Sequence, residues 1–347
     1  MESGVFHTTY EADIALRRTP LMRLRLVLAI VFLLVFPFLA DGYQLTLANQ
    51  AGIAAIGAIG LNILTGFTGQ ISLGQGAFMA VGAYSSGLLA ARLGLPWWLT
   101  IPIACTVTAG VGAIFGIPSL RLKGLYLAIA TLAAQQIIEW LITHWRWLTG
   151  GVEALVVPAP MLFGERVGTN FRFYWVILFF ATLTTIFAVN LFRTRVGRAF
   201  IAIRDQDIAA EVMGVDVFRY KLLAFATSSF FVGLSGALLA QWRGIVNYER
   251  FTFETSIFYL AVIIIGGLGS VSGSIYGAIF MTLLPAVLSN AGRAVGGSIP
   301  ALAGILPFIQ QGVFGATIIL FLIFEPQGLA KIWRNIKDYF RLWPFSY

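Results

Sequence analysis

TGFTGQISLGQGAFMAVGA, residues Thr65–Ala83, is the stretch on which the fold turns. It is uncharged, studded with glycine, and lies between two hydrophobic runs. A water-soluble core has no need of so many glycines in one apolar block. Inside a bilayer, where lipid tails are as apolar as the helices, association depends on close packing, and small residues let backbones approach. Gly66, Gly69, Gly74 and Gly76 are therefore candidate helix-packing positions. The polar residues among them, Thr65, Thr68, Gln70, Ser72 and Gln75, either hydrogen-bond across helices or line a wet path.

Composition agrees with that reading. The chain is 59% hydrophobic and 11% charged over 347 residues, against the roughly 25% charged usual in soluble domains. Its apolar runs reach the length of a bilayer-spanning helix. The net charge of +8 does not mark a nucleic-acid protein. Its basic residues sit beside apolar spans, where they serve orientation.

Candidate spans lie near 24–41, 45–65, 71–91, 97–117, 125–144, 173–192, 220–241, 256–268, 271–289 and 304–324. Ser256–Leu288 is too long for one tilted helix and carries Gly266, Gly267, Gly269 and Gly273 in its middle, so it is expected to break into a hairpin; one kinked span there would make nine. The expected fold is an all-α polytopic membrane bundle of about ten transmembrane helices. Alternating the loops puts sixteen of the 23 lysines and arginines on one side, among them Arg17, Arg18, Arg121 and Lys123. By the positive-inside rule that side is cytoplasmic, with both termini on it. The expected organisation is a cytoplasmic segment 1–23, a membrane domain 24–329 with a cytoplasmic loop 193–219, and an interfacial tail 330–347. Leu24–Ala40 reads as a retained anchor, since further spans follow it without a clear cleavage site.

Catalytic chemistry finds little material. Cys105 is the only cysteine, and His7 and His144 stand far apart without an HExxH pattern or a Cys/His cluster, so no metal site and no catalytic residue is assigned. None of the four lysines follows a glycine, which excludes the phosphate-cradling GxxxxGK[ST] loop. No cofactor is expected on this chain, and transport driven by ATP would need the ATPase on another polypeptide.

The loop RTRVGRAFIAIRDQDIAAEVMGVDVFRYK, Arg193–Lys221, is where such a partner could push. Asp207 is placed to N-cap a short helix and Gly214 to end it with a left-handed turn. Ile208, Ala209, Val212 and Met213 fall on one arc, with Ala210 and Glu211 facing elsewhere. So short a helix is marginal alone, and its apolar arc needs a docking surface on its own protein or on a partner. The candidate coupling residues are Arg198, Arg204, Asp205, Asp207, Ile208, Ala209, Ala210, Glu211, Val212, Met213 and Gly214.

Four stretches carry a family resemblance: LNILTGFTGQISLGQGAFMAVGAY (Leu61–Tyr84); RLKGLYLAIATLAAQQII (Arg121–Ile138) leading to LTGG; GRAFIAIRDQDIAAEVMGVD (Gly197–Asp216) with KLLAFATSSFFVGLSGALLA (Lys221–Ala240); and GGLGSVSGSIYGA (Gly266–Ala278). In this order, over most of the chain, they resemble the LivM-type permeases of branched-chain amino acid ABC importers. The resemblance implies a LivH-type second permease subunit, two cytoplasmic ABC ATPases, an extracytoplasmic solute-binding protein, a small amino-acid cargo and the inner membrane of a bacterium. It likens Gly197–Asp216 to an EAA-type coupling segment, with Ala209, Ala210 and Gly214 keeping the spacing. Ile208 departs from it where an acidic residue is expected, and Gln75 stands where many relatives would have histidine.

Candidate path residues are Asn62, Thr65, Gln70, Ser72, Gln75, Gln135 and Gln136, unless their polar groups only bridge helices. Glu139 is the one acidic residue well inside a predicted span, near its outer end. An ion-driven secondary transporter, the main alternative, needs ion-coordinating groups near the midplane, and no second carboxylate there partners Glu139. The tail mixes Lys331, Arg334, Lys337 and Arg341 with Trp333, Tyr339, Phe340 and Trp343, and reads as an interfacial helix on the anionic leaflet.

Overall fold

A computed structural model describes residues 20–119, 122, 124–162, 165–296, 306–325 and 327–342. Arg17, Arg18, Arg121, Lys123 and Trp343 lie outside them. The described chain is built almost wholly of α-helices: α1 Pro20–Leu39, α2 Gly42–Thr68, α3 Gln75–Leu93, α4 Trp97–Ser119, α5 Leu125–His144, the one-turn α6 Arg146–Thr149, α7 Asn170–Leu191, α8 Arg195–Asp205, α9 Asp207–Val212, α10 Val217–Arg243, α11 Phe253–Gly266, α12 Val271–Gly296, α13 Leu306–Phe324 and α14 Gly328–Leu342. A helix occupies each of the ten stretches expected to span. Among the described residues, α2, α4, α5, α7, α10 and α12 are long and apolar enough to cross a membrane, and α13 with α14 forms a pair bent by 52°. The third span, expected from residue 71, starts only at Gln75, because 69–74 form the turn before it.

Helix α2 begins at a capping box between Asp41 and Gln44 and ends at Gly69, whose left-handed φ of +70° a side chain would oppose. Between those caps it carries no charge, and 94% of its apolar window is buried. In α7 the corresponding share is 22%. The first therefore runs through the centre of the bundle, packed on α7, α10 and α12, while the second shows most of its surface to the surroundings.

The break at 267–270 is a true hairpin. Side-chain carbons added to Gly273 and Gly277 would fall 2.6 Å from the Gly266 carbonyl oxygen and 2.9 Å from the Gly266 Cα, so α11 and α12 lie antiparallel with backbone against backbone. The crossing of α3 and α10 is as close: a carbon on Gly82 would lie 2.6 Å from the Gly233 Cα, and one on Gly236 would meet the Met79 carbonyl.

Connections sort to two ends of the bundle. At one end Asn170 joins the starts of α2 and α7, accepting from the Asn49 amide at 3.0 Å and donating to Thr46 Oγ1 at 2.9 Å. There, too, β1 (Leu155–Val156) pairs antiparallel with β4 (Ile245–Val246), while β2 (Met161–Leu162) pairs with β3 (Glu165–Arg166). At the other end gather the turns at 69–74 and 267–270, α8, α9 and the start of α14. Tyr174 donates to the Leu33 carbonyl at 2.9 Å and Phe38 packs on Phe171, so α1 runs antiparallel to α7 and its start points to that second end.

Candidate coupling site and the helix junctions above it

Thr194 caps α8, its hydroxyl accepting from the Gly197 amide at 3.4 Å. Gly197, Ala199, Phe200 and Ile203 turn inward at helical spacing, and Phe200 packs edge-on against Tyr220 of α10. Arg198 stays outside and donates to the Arg193 carbonyl at 3.2 Å. Arg204 reaches the other way. Its Nη1 donates to the Gly66 carbonyl at 3.3 Å, and its Nη2 pairs with Asp205 at 2.9 Å.

The short helix α9 corrects one expectation. Gln206, not Asp207, occupies the cap position; Asp207 is the first helical residue, and its carboxylate lies 3.4 Å from Lys221 Nζ. Lys221 is buried at the foot of α10, so the attraction turns Asp207 away from the cap geometry. Of the two docking surfaces left open for the apolar arc, the described residues of its own protein do not supply one. Ala210 is the buried residue at 5% exposure, whereas Ile208, Val212 and Met213 stand 65%, 82% and 84% exposed, with Ala209 and Glu211 exposed as well. The small Ala210 thus faces the bundle while the larger residues face out. Gly214 ends the helix in a left-handed turn as expected, at φ +86°, with Val215 N donating to the Ala210 carbonyl at 3.0 Å. The result is an apolar knob left uncovered by the described residues.

Above the knob, six of the seven expected path residues are buried and hydrogen-bonded. Asn62 is 1% exposed; its Nδ2 donates to Ser274 Oγ at 2.7 Å and the Ser270 carbonyl at 3.0 Å, and its Oδ1 accepts from the Gly269 amide at 2.9 Å. Thr65 Oγ1 donates to the Gln70 carbonyl, Gln70 to Thr68 Oγ1, Gln75 to the Gly57 carbonyl, and Ser72 Oγ accepts from the Gly74 amide. Gln135 binds α3 to the segment before α11. Gln136, one residue on, points to the exterior. Asn62, Gln75 and Gln135 thus bridge helices, one of the two roles read for them, while the bonds of Thr65, Gln70 and Ser72 stay within residues 64–74.

The start of α3 shows why such bridges are needed. The helix begins inside the bundle, and the orphan amides of its first turn have no water to meet. Leu73 N donates to Thr131 Oγ1 at 2.8 Å, Gly76 N to Ser256 Oγ at 2.9 Å and Ala77 N to Gln135 Oε1 at 2.6 Å. Caps usually come from the preceding residue; these come from α5 and α11. Gly76 lets α11 approach, since a side-chain carbon there would be 2.7 Å from the Thr252 carbonyl.

The expected packing glycines meet neighbours in every case. Gly66 abuts the Gly269 amide, Gly69 the Arg204 side chain, Gly74 the Thr131 carbonyl, and Gly267 the Gln327 carbonyl. Sequence reading missed Gly82, Gly233, Gly236 and Gly277, and the sharing of Gln241 among Ser86 and Thr100. The glycine pair in GLSG, Gly233–Gly236, was a signal that could have found the α3–α10 crossing. Among the described residues no cluster of His, Cys, Asp or Glu is arranged to hold a metal.

These features define a polytopic α-helical membrane protein with an exposed apolar knob at one end. Residues 43–322 match the family described as the branched-chain amino acid transport system / permease component, and the chain belongs to that family. It is 32% identical over 338 residues to the high-affinity branched-chain amino acid transport system permease protein LivM of Salmonella typhimurium, covering 90% of this chain and 76% of that one. Against LivM of Escherichia coli K12 the identity is 32% over 336 residues, with the same coverage. It is also 24% identical over 326 residues, 90% of this chain and 89% of the other, to the autoinducer 2 import system permease protein LsrC of Escherichia coli. No solved structure matches the chain.

Proposed function

We propose that the chain is a membrane-spanning permease subunit of an ABC importer, and that it moves branched-chain or similar small apolar amino acids. In this reading it crosses a bacterial inner membrane ten times with both termini cytoplasmic. It pairs with a LivH-type second permease and two ABC ATPases, and receives cargo from an extracytoplasmic solute-binding protein. The observation that carries the proposal is the knob. Ile208, Val212 and Met213 project from a helix fixed by Ala210 and by the Asp207–Lys221 pair, at the same end as the starts of α1 and α14. A groove on an ATPase would cover that apolar surface. The cargo assignment rests on the family and the LivM relatives.

Mechanically, a partner can shift an equilibrium between two states of the bundle only through contacts that differ between them. ATP-driven closure of the ATPases would displace α9 and α8, and Arg204 would carry the displacement to Gly66 and the 267–270 turn. No residue of this chain takes part in nucleotide chemistry in this scheme.

Deleting Ile208–Met213 is expected to leave membrane insertion intact and abolish co-purification of the ATPases. Recovery of the whole complex at normal yield would overturn the coupling role. The secondary-transporter alternative is met by reconstitution: uptake by this chain alone under an ion gradient would establish it, and a strict need for ATPase subunits and ATP would exclude it.

A further inference from the structure

We propose that α14 is a docking helix for the anionic surface of the bilayer, seated there while its first turn clamps the α11–α12 hairpin. The inference does not depend on what the chain transports. Leu329, Ile332, Trp333, Ile336 and Tyr339 recur at three- and four-residue spacing along one face of α14, with Lys331, Arg334, Lys337 and Asp338 on the other. Leu329 packs against the core, but Trp333, Ile336 and Tyr339 are 46%, 42% and 63% exposed. Three cations and an acid within eight residues forbid a crossing of the hydrocarbon.

The occupant follows from where α14 starts. It leaves the end of the apolar α13 after a short break and bends by 52°, so it emerges at the bilayer surface. Its apolar strip carries Trp and Tyr, whose rings favour the headgroup level. The opposite face is net positive, matching an anionic leaflet. Lys331 also reaches Glu325 at 3.2 Å, and Lys337 lies over the Trp333 ring at 5.8 Å, which holds both cations near the start of the strip.

The clamp is steric. A side-chain carbon on Gly328 would fall 2.6 Å from the Gly267 amide nitrogen and from the Ile265 carbonyl oxygen. Trp333 meets Tyr276 of α12, their ring centroids 6.5 Å apart. Seating α14 on lipid therefore also fixes the turn that Asn62 grips from above.

The test uses the full chain with Cys105→Ser, which removes the only cysteine, and Ile336→Cys carrying a nitroxide, in nanodiscs of zwitterionic or mixed anionic lipid. The expected result is a several-fold preference for relaxation by oxygen over a water-soluble nickel chelate in anionic discs, weakened in zwitterionic ones. Replacing the exposed Arg334 and Lys337 by glutamine should erase the difference between the lipids. Free access of nickel in both lipids, access of neither agent, as under a protein partner, or an unchanged lipid dependence in the glutamine variant would each overturn the proposal.

Discussion

Gln135 Oε1, on α5, accepts the Ala77 amide of α3 at 2.6 Å, so the side chain of one helix caps the first turn of another. Nε2 of the same glutamine donates to the Phe251 carbonyl at 2.7 Å. Three segments far apart in sequence depend on one fully buried residue.

Gln135→Leu preserves volume but strands the Ala77 amide and the Phe251 carbonyl. At about 1–3 kcal/mol for each buried polar group left unpaired, destabilisation of about 2–6 kcal/mol is expected. Ser256→Ala strands the Gly76 amide and removes a longer hydrogen bond to Gln135 Oε1, and should cost about 1–3 kcal/mol. Thermal unfolding of the detergent-solubilised chain measures both; equal midpoints for Gln135→Leu and wild type would show that the cap carries no weight.

Gly82 and Gly236 set the α3–α10 distance. Alanine at either position places a methyl against backbone, which cannot rotate away, so the helices must separate. Overpacking of a close core costs about 1–3 kcal/mol, and a backbone clash belongs at the upper end. Gly110→Ala is the control: nothing lies within 4 Å of a carbon added there, and removing a glycine from a helix interior should stabilise by up to about 1 kcal/mol. Yields of folded protein from the three variants decide the matter, with a fall expected only for the first two.

What the sequence made legible was whatever local pattern dictates. The glycines at 266–273 announced the hairpin because no other residue permits backbone contact there, and Gly214 announced the end of α9 because the turn needs a positive φ. Ala210 was illegible for a physical reason. A six-residue helix is oriented by what it rests on, here the bundle and Lys221, so the wheel alone left open whether the larger apolar arc faced its own protein or a partner. Gln135 and Gln136 show the same limit: adjacent amides of equal chemistry, one buried as a cap and one outside, differ only through tertiary partners that the sequence does not display.

Arg204 links α8 to the last turn of α2 through the Gly66 carbonyl and lies against Gly269. Its side chain is 39% exposed, so solvent reduces a charge-assisted hydrogen bond to about 1 kcal/mol. Arg204→Ala should therefore leave the fold and ATPase association intact while loosening transmission, lowering uptake about fivefold per ATP hydrolysed. Matched uptake and hydrolysis assays in proteoliposomes read that ratio; a variant with unchanged coupling stoichiometry would remove Arg204 from the transmission route.

Asp207 and Lys221 orient the knob without belonging to its exposed face. Both are partly shielded, at 25% and 11% side-chain exposure, and their 3.4 Å approach is mediated by charge. Lys221→Met keeps the aliphatic packing at the foot of α10 but removes the attraction, freeing α9 to rotate. A pair of this exposure is worth about 1 kcal/mol, which predicts roughly fivefold weaker ATPase binding, with Ile208, Val212 and Met213 unaltered. The exchange Asp207→Lys with Lys221→Asp should recover part of the loss, because attraction survives the swap while each single change does not preserve it. Binding measured across a salt series separates this from a direct contact. If Lys221 acts only through Asp207, the single variants and the swap differ most at low ionic strength, where the pair is least screened; loss in the swap equal to that in Lys221→Met would mean that Lys221 touches the ATPase itself.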